Sequence, residues 1–126
     1  MIEIVPEEPY SDDDLNYSND QSRTSLEQND ETSRPGIANS IDVSSYDTIY
    51  LGFPIWWNDV PKIILTFLDE CDLSGKTLIP FCTSGGTDMS GCEKDLRNSY
   101  PQYQWKKGKR LIGHEDASQI QNWILD

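Results

Sequence analysis

The feature that most constrains the fold is a short apolar run, Thr48–Phe53, which is followed within a few residues by a helical pattern. The run is rich in β-branched and aromatic residues and lies between Asp47 and Pro54, which predicts a buried strand. Apolar residues then recur at helical spacing on one face: Val60, Ile63, Ile64, Phe67, Leu68 and Cys71. A strand followed directly by a helix predicts a parallel sheet with right-handed crossovers.

The same alternation of strand and helix continues towards the end of the chain. Thr77–Cys82 predicts the next buried strand, although Pro80 would remove one hydrogen-bond donor from it. A helix is expected over Met89–Tyr100, a last strand over Gln102–Lys106 and a final helix from Glu115. We therefore predict a single α/β domain over residues 1–126.

The first part of the chain differs in character from the rest. Residues 1–46 hold 11 acidic side chains and two basic ones. Ile2–Val5 predicts a short strand that Pro6 ends. Residues 6–45 then predict a long acidic excursion with one short helix around Ser18–Glu31. We favour a solvated linker for this excursion, and a functional loop lying over the fold is the alternative.

The charge of the chain restricts its partners. Lys and Arg number 10 against 22 Asp and Glu, which gives a formal net charge of −12. Such a chain would repel nucleic-acid phosphates and anionic membrane surfaces, but it suits docking to a basic protein. With no secretory signal and no apolar run near the roughly 20 residues of a membrane span, we expect a soluble, cytoplasmic protein. The basic cluster Lys106–Arg110 is expected to be a solvated strand end.

The three cysteines, Cys71, Cys82 and Cys92, do not suggest a metal or redox centre. Their odd number and the lack of close pairs argue against a disulfide framework. Nine residues separate Cys82 from Cys92, which is not a familiar zinc spacing. We expect reduced, buried thiols and no metal site.

Two loops, Pro54–Asp59 and Thr83–Asp88, directly follow predicted strands. Ligands of parallel sheets bind beyond the carboxyl ends of the strands, so these loops are the candidate site. The first carries Trp56 and Trp57, whose indoles either fill a core or stack on a flat ring. The second is glycine-rich and exposes backbone amides that can approach a ligand closely. Together the two loops predict a planar, electron-rich ligand.

The order of these motifs closely resembles bacterial flavodoxins and flavodoxin-like FMN proteins. The similarity runs from residue 1 to about 125 and is carried by Ile2–Tyr10, Tyr46–Trp57, Leu73–Thr77 and Ile79–Gly86. The resemblance implies a flavodoxin-like three-layer α/β/α fold that holds the flavin ring of FMN between the two loops. The residues that it implies for the ring are Pro54, Ile55, Trp56 and Trp57 on one wall and Thr83, Ser84, Gly85 and Gly86 on the other.

One part of the family pattern is missing from this chain. Flavodoxins begin with a central strand, a Ser/Thr-rich phosphate loop and a first helix, whereas this chain begins at what resembles their second strand. The absent strand would lie between Ile2–Val5 and Thr48–Phe53. Three outcomes are open: the N-terminal strand lies beside Thr48–Phe53, another copy of the chain covers the gap as a homo-oligomer, or the chain is a fragment of a longer product. We expect weakened FMN binding, because phosphate contacts usually anchor the cofactor.

The resemblance implies either an electron carrier that docks on a basic redox partner or a small FMN-dependent oxidoreductase. A cofactor-free interaction module, or a degenerate remnant of the family, is the alternative. A hydrolase with Ser84 as nucleophile is disfavoured, because T-S-G-G is not a nucleophile elbow and the only histidine, His114, is poorly placed.

Overall fold

The computed structural model describes residues 2–16, 18–56, 59–83 and 90–111. These contain three helices and four strands. In chain order they are α1 (Arg23–Gln28), β1 (Thr48–Pro54), α2 (Lys62–Glu70), β2 (Thr77–Thr83), α3 (Ser90–Ser99), β3 (Gln104–Trp105) and β4 (Lys109–Leu111). The predicted final helix from Glu115 lies outside the described residues.

The described strands form one parallel sheet, as the sequence predicts. β1 and β2 pair over their full lengths, from Thr48 opposite Thr77 to Pro54 opposite Thr83. β3 and β4 both pair with the other side of β2, so β2 is central and β1 is an edge strand among the described residues. The predicted α/β fold with a parallel sheet is confirmed for the described residues.

The core lies between one face of this sheet and helices α2 and α3. Leu51 and Phe53 of β1 point to the same side as Leu78 and Cys82 of β2, because alternate residues of a strand share a face. They cluster with the apolar residues of the helices and the α3 terminus: Ile63, Ile64, Phe67, Leu68, Cys92, Leu96 and Tyr100. The predicted apolar face of the first crossover helix is therefore confirmed.

Pro80 is accommodated in the central strand by a bulge in its neighbour. Between β3 and β4, three residues, Lys106–Gly108, face only two residues of β2, Ile79 and Pro80. Such an extra residue interrupts the ladder locally, and this interruption lies beside the residue that has no N–H to donate. The predicted last strand therefore begins as expected but continues past the bulge as β4.

Gly108 allows this bulge to approach β2 closely. A Cβ at Gly108 would lie 2.7 Å from the Glu93 carboxylate and 3.0 Å from the Pro80 ring, and the Gly108 N–H donates to that carboxylate. Beyond the bulge, Lys109 and Arg110 are half-buried within β4. The expectation of a solvated strand end is therefore wrong for these two residues, because the strand resumes after the bulge.

Ile2–Val5 does not form the predicted strand. The Asn39 side chain accepts a hydrogen bond from the Val5 N–H at 2.9 Å and donates one to the Glu3 carbonyl at 2.7 Å. Residues 36–39 thus satisfy this backbone locally, where a neighbouring strand would otherwise do so. Of the three open outcomes, the one in which this segment pairs beside β1 is not found among the described residues.

The acidic excursion is folded and packed, so the favoured interpretation of a solvated linker is wrong. Its helix, α1, is shorter than the predicted span and begins after Ser22, whose side chain accepts from the Ser25 N–H at 3.4 Å. Thr24 and Ser25 are buried. Later in the excursion, apolar side chains pack against the core: Ile37, Ile41 and Val43.

Two polar contacts fasten the excursion to α2. The Arg34 guanidinium forms an ion pair with Asp69 at 2.7 Å, and the Thr66 hydroxyl donates to the Pro35 carbonyl at 2.8 Å. These bonds act together with the apolar contacts of Ile37, Ile41 and Val43 to position the excursion against the fold.

The described residues contain no helix that is long and apolar enough to cross a bilayer. No disulfide joins the three cysteines; Cys82 and Cys92 are buried and Cys71 is half-buried. The expectation of buried thiols is therefore confirmed for two of the three.

Candidate functional site

The two predicted loops begin side by side at the carboxyl edge of the sheet. Pro54, the last residue of β1, is the register partner of Thr83, the last residue of β2. This adjacency follows from the parallel pairing of the two strands, because parallel strands end at the same edge. The predicted site residues Trp57, Ser84, Gly85 and Gly86 lie outside the described residues.

The first loop closes on itself directly after β1. Trp56 and Asp59 exchange two backbone hydrogen bonds, of 3.0 and 2.9 Å, so the chain reverses within four residues. Ile55 packs against the core, whereas Trp56 is half-buried. The Trp56 indole therefore lies at the rim of the fold and is not enclosed in the central core.

A side chain of the acidic excursion packs on this indole. The Tyr10 ring meets the Trp56 ring edge to face, with centroids 5.5 Å apart and planes at 70°. The Arg23 guanidinium lies 3.9 Å from the Tyr10 ring centroid on its face, a favourable cation–π geometry. Glu27 completes the group, accepting from the Tyr10 hydroxyl at 2.7 Å and from Arg23 Nε at 3.0 Å. Burial and the bond to Glu27 raise the pKa of Tyr10 above its ordinary value.

Gln28, at the end of α1, holds the same loop from the backbone side. Its side-chain amide donates to the carbonyl oxygens of Trp56 and Val60, each at 3.3 Å. Sequence reasoning missed Tyr10, Arg23 and Gln28, because they lie in a stretch without hydrophobic periodicity. The short helix predicted around Ser18–Glu31 includes Arg23 and Gln28 but not Tyr10, and it does not indicate what these residues contact.

Negative charge surrounds the far end of this loop. Burial and the nearby Asp59 carboxylate, which shares a hydrogen bond with Asp95, raise the pKa of Asp95. Burial, followed by the charge of Asp59, raises the pKa of Cys92 to about 12, so this thiol stays protonated at neutral pH. An aromatic wall beside carboxylates suits a neutral, planar ligand better than an anionic one.

Comparison with known proteins agrees with this architecture. The sequence model of a flavodoxin family, described as Flavodoxin, matches residues 1–126. The chain belongs to the flavodoxin family. The two loops that begin at Pro54 and Thr83 are among the segments in which the sequence resembles this family.

Two solved structures show how far the flavodoxin-like fold extends along the chain. A candidate flavoprotein from Bacteroides uniformis is 43% identical with a TM-score of 0.91, covering 98% of this chain and 79% of its own. A candidate flavoprotein from Bacteroides eggerthii is 38% identical with a TM-score of 0.90, covering 96% of this chain and 76% of its own. No curated protein matches the chain significantly.

Proposed function

We propose that this member of the flavodoxin family binds FMN between the loops that follow β1 and β2 and serves in electron transfer. The observation that carries the proposal is the pairing of Pro54 with Thr83, which starts both loops at one edge, together with the half-buried Trp56 indole beside them. Bound FMN would supply one- or two-electron redox chemistry, and the protein supplies binding and electrostatics.

The described residues fit a flavin ring on one side. Trp56 offers an indole at the rim, where the Tyr10 ring packs on it, and the Gln28 amide holds the Trp56 backbone carbonyl. Pro54 and Ile55 extend the same wall, and Thr83 begins the opposite one. The hydrogen-bonded pair of Asp59 and Asp95 shares a proton and still carries one negative charge, which disfavours an anionic reduced ring, so we expect a low reduction potential.

The acidic surface supports a basic redox partner. Opposite charge speeds the encounter of two proteins, and this chain carries a net charge of −12. The electron-carrier function requires no catalytic side chain. A small oxidoreductase would also need a nicotinamide to reach the ring, so consumption of NAD(P)H in the presence of added flavin separates the two.

Flavin titration tests the proposal directly. Trp56→Ala is expected to weaken FMN binding by about tenfold, or ~1.4 kcal/mol, through loss of ring contact. Trp105→Ala is the matched control, because Trp105 pairs near the start of β2, away from the loops. No change in flavin fluorescence at about 100 µM protein would overturn the proposal and favour the cofactor-free module.

Comparison of FMN with riboflavin tests the expected weakness of phosphate binding. If this chain supplies few phosphate donors, the two ligands should bind with affinities within about threefold of each other. A large preference for FMN would show that the chain provides a phosphate site of its own.

A further inference from the structure

The described residues between positions 11 and 31 form a small lobe of the excursion, the acidic lobe, with a polar interior. Thr24 and Ser25 are buried in it. The Thr24 N–H and hydroxyl both donate to the Asp14 carbonyl, at 3.0 and 2.8 Å, and the Ser25 hydroxyl donates to the Asn19 carbonyl at 2.8 Å. Hydrogen bonds between buried polar groups therefore hold this lobe together, where an apolar core would do so in most folds.

The leucines of the acidic lobe, Leu15 and Leu26, are on its outside. They are 42% and 51% exposed, which makes them two of the four exposed large hydrophobic side chains among the described residues. Because Asp14 bonds to Thr24, the chain at Leu15 lies beside the beginning of α1, the helix that carries Leu26. A lobe that buries serine and threonine while it exposes its leucines indicates a surface for contact with another molecule.

The exposed charge of the acidic lobe is negative throughout its described residues. Its exposed carboxylates are Asp12, Asp13, Asp20, Asp30 and Glu31. Arg23 is the one Lys or Arg in the lobe, and its guanidinium is engaged, 3.9 Å from the Tyr10 ring centroid and 3.0 Å from Glu27. A partner that covers the leucines must therefore bring positive charge to the carboxylates around them.

The acidic lobe adjoins the proposed flavin site. The Gln28 amide, at the end of α1, donates to the Trp56 carbonyl at 3.3 Å, and the Tyr10 ring packs on the Trp56 indole. A partner seated on the lobe would thus lie next to the loop that follows β1. Electrons pass between proteins only over short distances, so this position suits a redox partner.

We propose that the acidic lobe is the docking surface for a basic partner protein, which covers Leu15 and Leu26 with an apolar patch and surrounds them with Lys or Arg. That the partner exchanges electrons rests on the proposed function, whereas the docking itself requires no bound flavin. A second copy of this chain is disfavoured as the occupant, because it would bring like charge to the lobe.

Binding of cytochrome c, a small basic redox protein, to the flavin-free chain tests the proposal by calorimetry. We expect a dissociation constant below about 100 µM at about 10 mM salt, and binding at least about tenfold weaker at about 150 mM salt. Exchange of the Leu15 and Leu26 amides should slow in the complex. Cytochrome c with succinylated lysines, which reverses their charge, should not bind.

Two sets of variants separate the apolar part of the surface from its charge. Leu15→Ser and Leu26→Ser should each weaken binding at least about threefold and leave its salt dependence unchanged, whereas Ile2→Ser, at an exposed position outside the lobe, should not weaken it. The double variant Asp12→Asn/Asp20→Asn should weaken binding and flatten its salt dependence. Its matched control is Glu70→Gln/Asp72→Asn, which removes two exposed carboxylates near the end of α2 and should weaken binding less than half as much.

Three results would overturn the proposal: no binding at about 1 mM cytochrome c, unchanged binding by both leucine variants, or an equal loss with the control pair of carboxylates. Dimerisation of the chain that protects the Leu15 and Leu26 amides would also overturn it, because a second copy would then be the occupant. Leu15→Ser should keep the FMN affinity of the unaltered chain. Failure of docking and failure of flavin binding are therefore seen in different experiments.

Discussion

The Gln28 side-chain amide donates a hydrogen bond to the carbonyl oxygen of Trp56 at 3.3 Å. This bond joins the acidic excursion to the loop that carries the proposed flavin contact. The same amide also donates to Val60, so one side chain fixes both ends of a tight turn. The excursion is therefore a structural support of the candidate site.

Gln28→Leu is expected to loosen this loop. The variant removes two hydrogen bonds and leaves the carbonyls of Trp56 and Val60 without that partner, which should lower the free energy of unfolding by about 1–2 kcal/mol. Hydrogen exchange at the Trp56 and Asp59 amides should accelerate more than exchange in β2. Urea unfolding and exchange measured by mass spectrometry check both effects.

Gln21→Leu is the matched control for that experiment. It is the same substitution, Gln to Leu, at an exposed position of the excursion. Equal destabilisation by the two variants would show that Gln28 has no special role in holding the loop.

Gly52→Ala should disturb the sheet through the Phe81 ring. A Cβ at Gly52 would lie 2.6 Å from Cε2 of Phe81 and 2.9 Å from Cε1, so the ring must move. Overpacking of this kind costs about 1–3 kcal/mol, measurable by thermal or urea unfolding. Phe81→Leu in the same chain should recover part of the loss, since the smaller side chain leaves room for the methyl group.

Gly36→Ala is the comparison for Gly52→Ala. A Cβ there would also approach a neighbour too closely, but the neighbour is the end of the flexible Glu7 side chain, which can turn away. A similar loss at both glycines would contradict the argument from the Phe81 ring.

Most of the sheet could be predicted from the sequence, because its signals are local. The apolar runs that became β1 and β2, and the helical spacing of Ile63, Ile64 and Phe67, are visible in any window of the chain. The bulge opposite Pro80 could not be predicted, because it depends on which strand lies beside the proline. Ile2–Val5 was predicted wrongly for a related reason: its composition favours a strand, but its hydrogen bonds go to Asn39.

The candidate site was predicted in part. The sequence indicated that the loops after β1 and β2 meet, and the pairing of Pro54 with Thr83 confirms that they start together. The contribution of Tyr10 and Gln28, which contact the loop, and of Arg23, which packs on Tyr10, was not predictable, because these contacts join residues that are far apart in the sequence and lie in a segment of low hydrophobicity. The polar composition of that segment suggested a solvated chain, whereas specific hydrogen bonds and buried Thr24 hold it in place.

The three cysteines should differ in reactivity towards a thiol reagent. Cys82 and Cys92 are 0% and 1% exposed, and Cys71 is half-buried, so at most one thiol should react in the native protein. Burial and the charge of Glu70 raise the pKa of Cys71, so its reaction should be slow at pH 7 and accelerate as pH rises. Cys71→Ser should abolish the native reaction, and all three thiols should react in denaturant. Two fast thiols in the native protein would contradict the packing of β2 against α3.

The ion pair between Arg34 and Asp69 predicts how docking of the excursion depends on pH. Partial burial opposes ionisation of Asp69, but hydrogen bonds from the Tyr100 hydroxyl and Arg34, together with the Arg34 charge, hold the pKa of Asp69 below its ordinary value. The two bonds are each 2.7 Å long. A carboxylate with a lowered pKa stabilises the fold above the ordinary Asp pKa of about 3.9, and this contribution is lost as the pH falls through the lowered value.

Asp69→Asn should therefore lower the melting temperature at pH 7 and have a diminishing effect as the pH falls through the lowered pKa of Asp69. Because the pair is partly exposed, the loss at pH 7 should be modest, about 0.2–1 kcal/mol. Limited proteolysis should also cut the excursion faster in the variant, since Arg34 fastens it to α2. Asp13→Asn removes an equal charge from an exposed turn and should leave both measurements nearly unchanged. A loss for Asp69→Asn that is the same at pH 7 and at pH 2 would show that ionisation of Asp69 does not contribute to docking.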